Sequence, residues 1–107
     1  MSATGDQMLL ALQALSNPHR LRIVAALHAK GRNYVSRLAR EAGLSRPLLH
    51  LHLQKLEDAG LVTSTLELSS DGKALNFYQL TDFDIRLTAA TITTATASLS
   101  YDKKSKD

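Results

Sequence analysis

The residues best suited to chemistry are basic and clustered, and the chemistry they suit is the binding of a polyanion. Residues 17–55 carry eight Arg or Lys side chains against one acid, Glu41. Residues 56–102 carry the opposite excess, seven acids against Lys73 and Arg86. Such an asymmetry on a small domain is a footprint for nucleic acid, although helix faces solvated by chance would read the same way. Within the basic stretch, Ser45-Arg46-Pro47 has the form of a helix start. A capping Ser leaves backbone N–H groups pointing outward, where they can hold a phosphate. Arg46 in the first turn could reach a phosphate or a guanine edge. His50, Gln54 and Lys55 follow on the same segment, and Arg32, Arg37 and Arg40 precede it. Each of these has a bland alternative as a solvated surface residue.

Other chemistries find little support. There is no Cys, which excludes a disulfide scaffold, a thiol nucleophile and thiolate metal ligands. His50 and His52 are two apart, so on a helix they face different ways and cannot chelate together. His52 suits a half-buried packing role, and His19 and His28 suit structural or solvated ones. Glu57 and Asp58 face solvent by period. No Gly-x-Ser-x-Gly context and no phosphate-cradling Gly loop is present, so an enzyme is not expected. No cofactor and no metal site is expected either.

These residues need elements to position them. The chain has 107 residues, 44% hydrophobic and 5% aromatic, enough for one domain with an aliphatic core. A first helix is expected over 6–15, with Met8, Leu12 and Leu15 on one stripe and Leu9 and Leu10 widening it. Asn17 and Pro18 start a second helix, in which Leu21, Val24, Ala25 and Leu27 or His28 keep the period and Gly31 is the stop. A third runs over Val35–Ala42, with Val35, Leu38 and Ala39 inward. Gly43 ends it and Leu44 follows. A fourth runs from Arg46 to Ala59, with Leu49, Leu53 and Leu56 inward and Gly60 as its stop. Arg20 is expected to hold the second helix against a neighbouring acid.

Leu61 to Leu68 and Ala74 to Leu80 read as strands around the turn Ser69-Ser70-Asp71-Gly72, a two-stranded hairpin with Lys73 at its tip. Thr81 to Ser100 reads as a last helix, capped by Thr81 with Asp84 in a capping-box position. Its stripe is Ile85, Ala89, Ile92, Thr96 and Leu99, and its many Thr residues give it weak propensity, so a partner subunit is a plausible support. Residues 101–107 form a polar tail. No apolar run reaches membrane-spanning length and no basic segment precedes the first apolar stretch, so a cytoplasmic location is the default.

Two short helices around Gly43-Leu44-Ser45, followed by a hairpin, make a winged helix-turn-helix pattern, mainly α with about five helices and a two-stranded wing. Three blocks resemble the ArsR-like repressors. LSNPHRLRIVAAL (15–27) is similar to their second helix through Pro18, Arg20, Leu21 and Ile23. LAREAGLSRPLLHLHLQKLEDAGLV (38–62) is similar to their helix-turn-helix, and SSDGKALNFYQLT (69–81) to their wing and its exit. The resemblance implies a homodimeric transcriptional regulator of double-stranded DNA, with its first and last helices building the dimer interface. Met8, Leu12, Leu15, Ile85, Ala89, Ile92 and Leu99 are then the dimerisation candidates. Ser45, Arg46, Pro47, Leu48, His50, Leu51, Gln54 and Lys55, with Arg37, Arg40 and Lys73, are the DNA-binding candidates.

The chain departs from that pattern twice. Many relatives sense metals through a Cys pair in the third helix, whereas NYVSRLA (33–39) has none. Others use Asp and His on the last helix, which here offers Asp82 and Asp84 but no His. In the fourth helix, Leu48 and Leu51 join the inward leucines, so apolar residues run nearly all round. They could pack on thymine methyl groups, or bury in a protein partner and make this a winged-helix interaction module. A small-molecule effector between the last helix and the wing, or none at all, is equally open.

Overall fold

The computed structural model describes residues 4–100. The expected polar tail lies outside them. Three of the first four helices begin at a residue whose side chain caps them. In α1 (Gly5–Leu15), Thr4 Oγ1 accepts from the Gln7 N–H at 3.2 Å, and Gln7 Oε1 accepts from the Thr4 N–H at 2.9 Å. That reciprocal box satisfies two donors that a helix start otherwise leaves open. Asn17 Oδ1 caps α2 (Pro18–Lys30) by accepting from His19 and Arg20 N–H. Within α2 it is Ile23 and Leu27 that are buried, while Leu21, Ala25 and His28 are exposed.

Two residues, Asn33–Tyr34, form β1 and lead directly into α3 (Val35–Ala42). Gly43 ends α3 at φ +67°, a left-handed conformation that a residue with a Cβ adopts at a cost. It sets the corner from which Ser45 caps α4 (Arg46–Asp58), its Oγ accepting from Leu48 N–H at 3.3 Å. Strands β2 (Val62–Leu68) and β3 (Ala74–Leu80) then pair antiparallel, from Val62 opposite Leu80 to Leu68 opposite Ala74.

The core lies where α2, α3 and α4 meet the base of the hairpin. Ile23, Leu38, Leu49, Leu53, Leu56 and Val62 are its largest fully buried side chains. Helix α4 supplies three of these, so the helix carrying the polyanion candidates is also the most firmly anchored.

Two expectations need correction. The sheet has three strands in the order β1-β3-β2, because β1 pairs with the free edge of β3 at Asn33–Tyr78 and Tyr34–Phe77. The hairpin itself is two-stranded as expected. The last helix, α5, spans Ala89–Thr96 rather than 81–100. Thr81 caps nothing: its N–H donates to Leu61 O at 3.0 Å and its hydroxyl to Gly60 O at 2.8 Å, which closes the base of the wing. Residues 81–88 are not helical, and they alternate, with Phe83 and Ile85 packed on the core and Asp82, Asp84 and Arg86 exposed. The capping box belongs to Thr88 and Thr91 instead.

Helices α1 and α5 lie together, in a molecule measuring 55 × 29 × 21 Å. Its radius of gyration, 16.3 Å, exceeds the roughly 13 Å of a compact chain this long. Gly5 is buried against Ala95 of α5 and Leu99 just beyond it, and its N–H donates to Ser98 Oγ at 2.7 Å. Ser100 N–H donates to Asp6 Oδ1 at 2.9 Å.

Candidate nucleic-acid interface

Helix α4 divides cleanly by burial. Leu49, His52, Leu53 and Leu56 face the core, and Arg46, Pro47, Leu48, His50, Leu51, Gln54, Lys55 and Asp58 are exposed. At 3.6 residues per turn, Pro47, Leu51, Gln54 and Asp58 point most directly away from the core. Arg46 and His50 flank them on one side, and Leu48 and Lys55 on the other. Arg46 Nη2 donates to Ser36 Oγ, so the guanidinium is held between the two helices of the helix-turn-helix. Ser36 has no sequence signal of its own; only the fold brings it to Arg46. Gln54 Nε2 donates to Asp58 Oδ1 at 2.8 Å, one turn along, which engages its amide within the helix.

The remaining basic candidates separate. Arg37 and Arg40 are exposed on α3, with Arg37 in an ion pair to Glu41 at 3.4 Å. Lys73 is exposed beside the hairpin turn, where its backbone N–H donates to Ser69 Oγ and Asp71 Oδ1. The Ser69 hydroxyl and the Lys73 N–H together hold the Asp71 carboxyl below its usual range. Arg32 is committed elsewhere. It makes a two-pronged bond to Glu67 of β2 and lies 4.1 Å over the Phe77 ring, bracing the wing from the loop after α2.

Among the described residues Arg20 meets no acid, contrary to expectation. Its Nε donates to the Ala14 carbonyl at 2.6 Å, and its Nη1 lies 3.4 Å from His52 Nδ1. The His19 ring stands 5.4 Å from that of His52. Burial, then the Arg20 charge, then His19 push the His52 pKa below its ordinary value, so a neutral imidazole accepts from Arg20. This cluster ties α4 to the α1–α2 corner on the side away from the exposed face.

Of the dimerisation candidates, Met8 and Leu12 are half-buried, and Leu15 and Ile85 pack partly on the core of the same chain. Ala89, Ile92 and Leu99 are exposed on or beside α5, and Leu10 is exposed on α1. A groove of about 280 Å³ opens between α2 and α3, lined by residues including Arg22, Ile23, Leu38 and Leu44. Among the described residues no three His, Asp or Glu side chains gather as a metal site, and no helix is long and apolar enough to cross a membrane.

Comparison with known proteins agrees with this geometry. A family described as a helix-turn-helix domain matches residues 15–65, the span from α2 into the first wing strand. An uncharacterized HTH-type transcriptional regulator of Methanocaldococcus jannaschii is 44% identical over 71 residues, covering 66% of this chain and 73% of that protein. The solution structure of a homodimeric winged helix-turn-helix DNA-binding domain from Mycobacterium bovis, described as a possible ArsR-family regulator, superposes with a TM-score of 0.59. It is 28% identical, over 70% of this chain and 64% of that one. NolR from Sinorhizobium fredii gives a TM-score of 0.58 at 25% identity, over 86% of this chain and 80% of that one.

Proposed function

We propose, for a chain that belongs to the ArsR-like winged helix-turn-helix transcriptional regulators, that it acts as a homodimeric repressor reading operator DNA with α4. Two copies joined through α1 and α5 would set their α4 helices into successive major grooves, about 34 Å apart. The wings would flank them, with Lys73 against the backbone. The observation that carries this reading is the face of α4 and α3. Arg46, His50 and Lys55 surround the centre of the α4 face, Arg37 and Arg40 are exposed on α3, and Leu49, Leu53 and Leu56 anchor α4 from behind. Phosphate contacts from these cations fix docking, and base edges supply specificity. The homodimeric Mycobacterium bovis domain supports the assembly.

The signal that releases the operator is not a thiolate-bound metal, since the chain has no Cys. An effector that moved α5 against α1 would release the operator by changing how the two copies are joined.

The test is binding to duplex DNA across a salt series. Each phosphate neutralised adds about −0.9 to the slope of log K against log salt. Arg37→Ala and Arg40→Ala should each make that slope shallower by roughly this amount while weakening all sequences alike. A slope unchanged in both variants would contradict the docking face.

A further inference from the structure

We propose that α4 reads thymine through its 5-methyl group, with Leu51 as the contacting residue and Leu48 beside it. This inference rests on the DNA-binding reading above and names what that same face recognises. Leu51 is 60% exposed and Leu48 41%, although the chain has a core available to leucines. They are three residues apart and so adjoin on the helix surface. Leu51 stands near the middle of the outward face, next to Pro47, so the N-terminal half of that centre is apolar, while Gln54 and Asp58 continue it toward the C-terminus.

Two of the polar side chains around it are taken up by protein partners. The Gln54 amide is engaged with Asp58, and Arg46 is drawn aside to Ser36. A helix lying in the major groove would therefore press its apolar centre against base edges. Among those edges the thymine methyl is the apolar group; the others present hydrogen-bond donors and acceptors. A leucine set against them would leave them unpaired, at a cost. Exposed cations border the patch on both flanks of α4, Arg46 on one and Lys55 on the other, with Arg37 and Arg40 exposed on α3; they favour DNA over a protein as the occupant, because they match a phosphate-lined groove.

The experiment replaces thymine by 2′-deoxyuridine in a duplex that the wild-type protein binds. This removes the methyl group and leaves base pairing intact. Fluorescence anisotropy then measures four combinations: wild type and the Leu48→Ala/Leu51→Ala variant, each on the thymine and the uridine duplex. Circular dichroism confirms that the variant is folded, as expected for two exposed positions. Wild type should lose roughly three- to fivefold in affinity per methyl removed at the contacted positions, and the variant should not notice the replacement. Equal loss in both proteins, or no loss in wild type, overturns methyl reading while leaving DNA binding in place. Failure of wild type to bind any duplex removes the DNA-binding reading and this one with it. If the double variant binds DNA as wild type does but loses a protein complex, the patch is a protein-docking face and the proposal is wrong.

Discussion

Replacing Gly5 by Ala tests the α1–α5 pairing on which dimerisation is proposed to depend. A Cβ at position 5 would overlap the Ala95 carbonyl oxygen and stand 2.8 Å from Leu99 Cγ. The oxygen is backbone, so relief requires α5 to shift rather than a side chain to rotate. Overpacking of this kind costs about 1–3 kcal/mol. Gly-to-Ala in a helix returns at most about 1 kcal/mol, and less at the first position, where Gly5 lies. A net penalty near 1.4 kcal/mol is reasonable and corresponds to about tenfold in an equilibrium constant. The shift would also strain the bonds from Gly5 N–H to Ser98 and from Ser100 N–H to Asp6. Helix α1 joins the core among α2, α3 and α4 through Ala11 and Ala14, more than a turn along from Gly5, so the core should feel the shift less than the junction does. Sedimentation equilibrium should therefore show the dimer dissociation constant rising about tenfold. Hydrogen exchange at the Gly5 and Ser100 amides should speed up, while the amides of α4 stay protected. An unchanged dissociation constant together with unchanged exchange at Gly5 and Ser100 would refute the packing and the dimer route built on it.

Three further outcomes follow. Arg46→Ala should lower operator affinity about tenfold or more, since a charge-assisted contact contributes about 1.5–3 kcal/mol; a variant that titrates its operator as wild type does would show α4 docked in some other way. Leu53→Ala, at a fully buried position, should destabilise the fold by about 2–5 kcal/mol in urea titrations, and a midpoint within error of wild type would mean the core is misassigned. His52 has a lowered pKa in the fold, so its stabilising contribution is complete above the unfolded value of about 6.5 and is lost as pH falls through the lower folded value. Urea midpoints measured from pH 8 to pH 5 should fall for wild type and fall less for His52→Gln; parallel profiles would show that His52, Arg20 and His19 do not set the acid response.

The helices were legible where sequence chemistry is local. Asn17-Pro18 and Ser45-Arg46-Pro47 announce helix starts through side chains that cap their own first turns. Asp71-Gly72 announces the hairpin in the same way, and its register follows. Strand β1 was not legible, because two residues have no period; Asn33 and Tyr34 become a strand only when β3 is already beside them. The length of α5 was misread for a different reason. Ile85, Ala89 and Ile92 fit a helical stripe, but Phe83 and Ile85 also fit an alternating strand-like pattern, and packing on the core selects the second. Thr81 looked like a cap and serves instead to tie the wing to Gly60. At the proposed DNA face, the basic residues and the apolar residues all round α4 could be read from the chain. The links from Arg46 to Ser36 and from Arg20 to His52 could not, because they join residues 10 and 32 positions apart.

The central claim is that a dimer of this chain sets two α4 helices into DNA. Selection of duplexes from a random pool by the purified protein, at near-physiological salt and with Arg46→Ala in parallel, tests it most directly. Wild type should enrich an inverted repeat with half-sites about 10 base pairs apart, and Arg46→Ala should lose the enrichment. A folded wild-type dimer that enriches no sequence, or the same repeat recovered equally by Arg46→Ala, would contradict it.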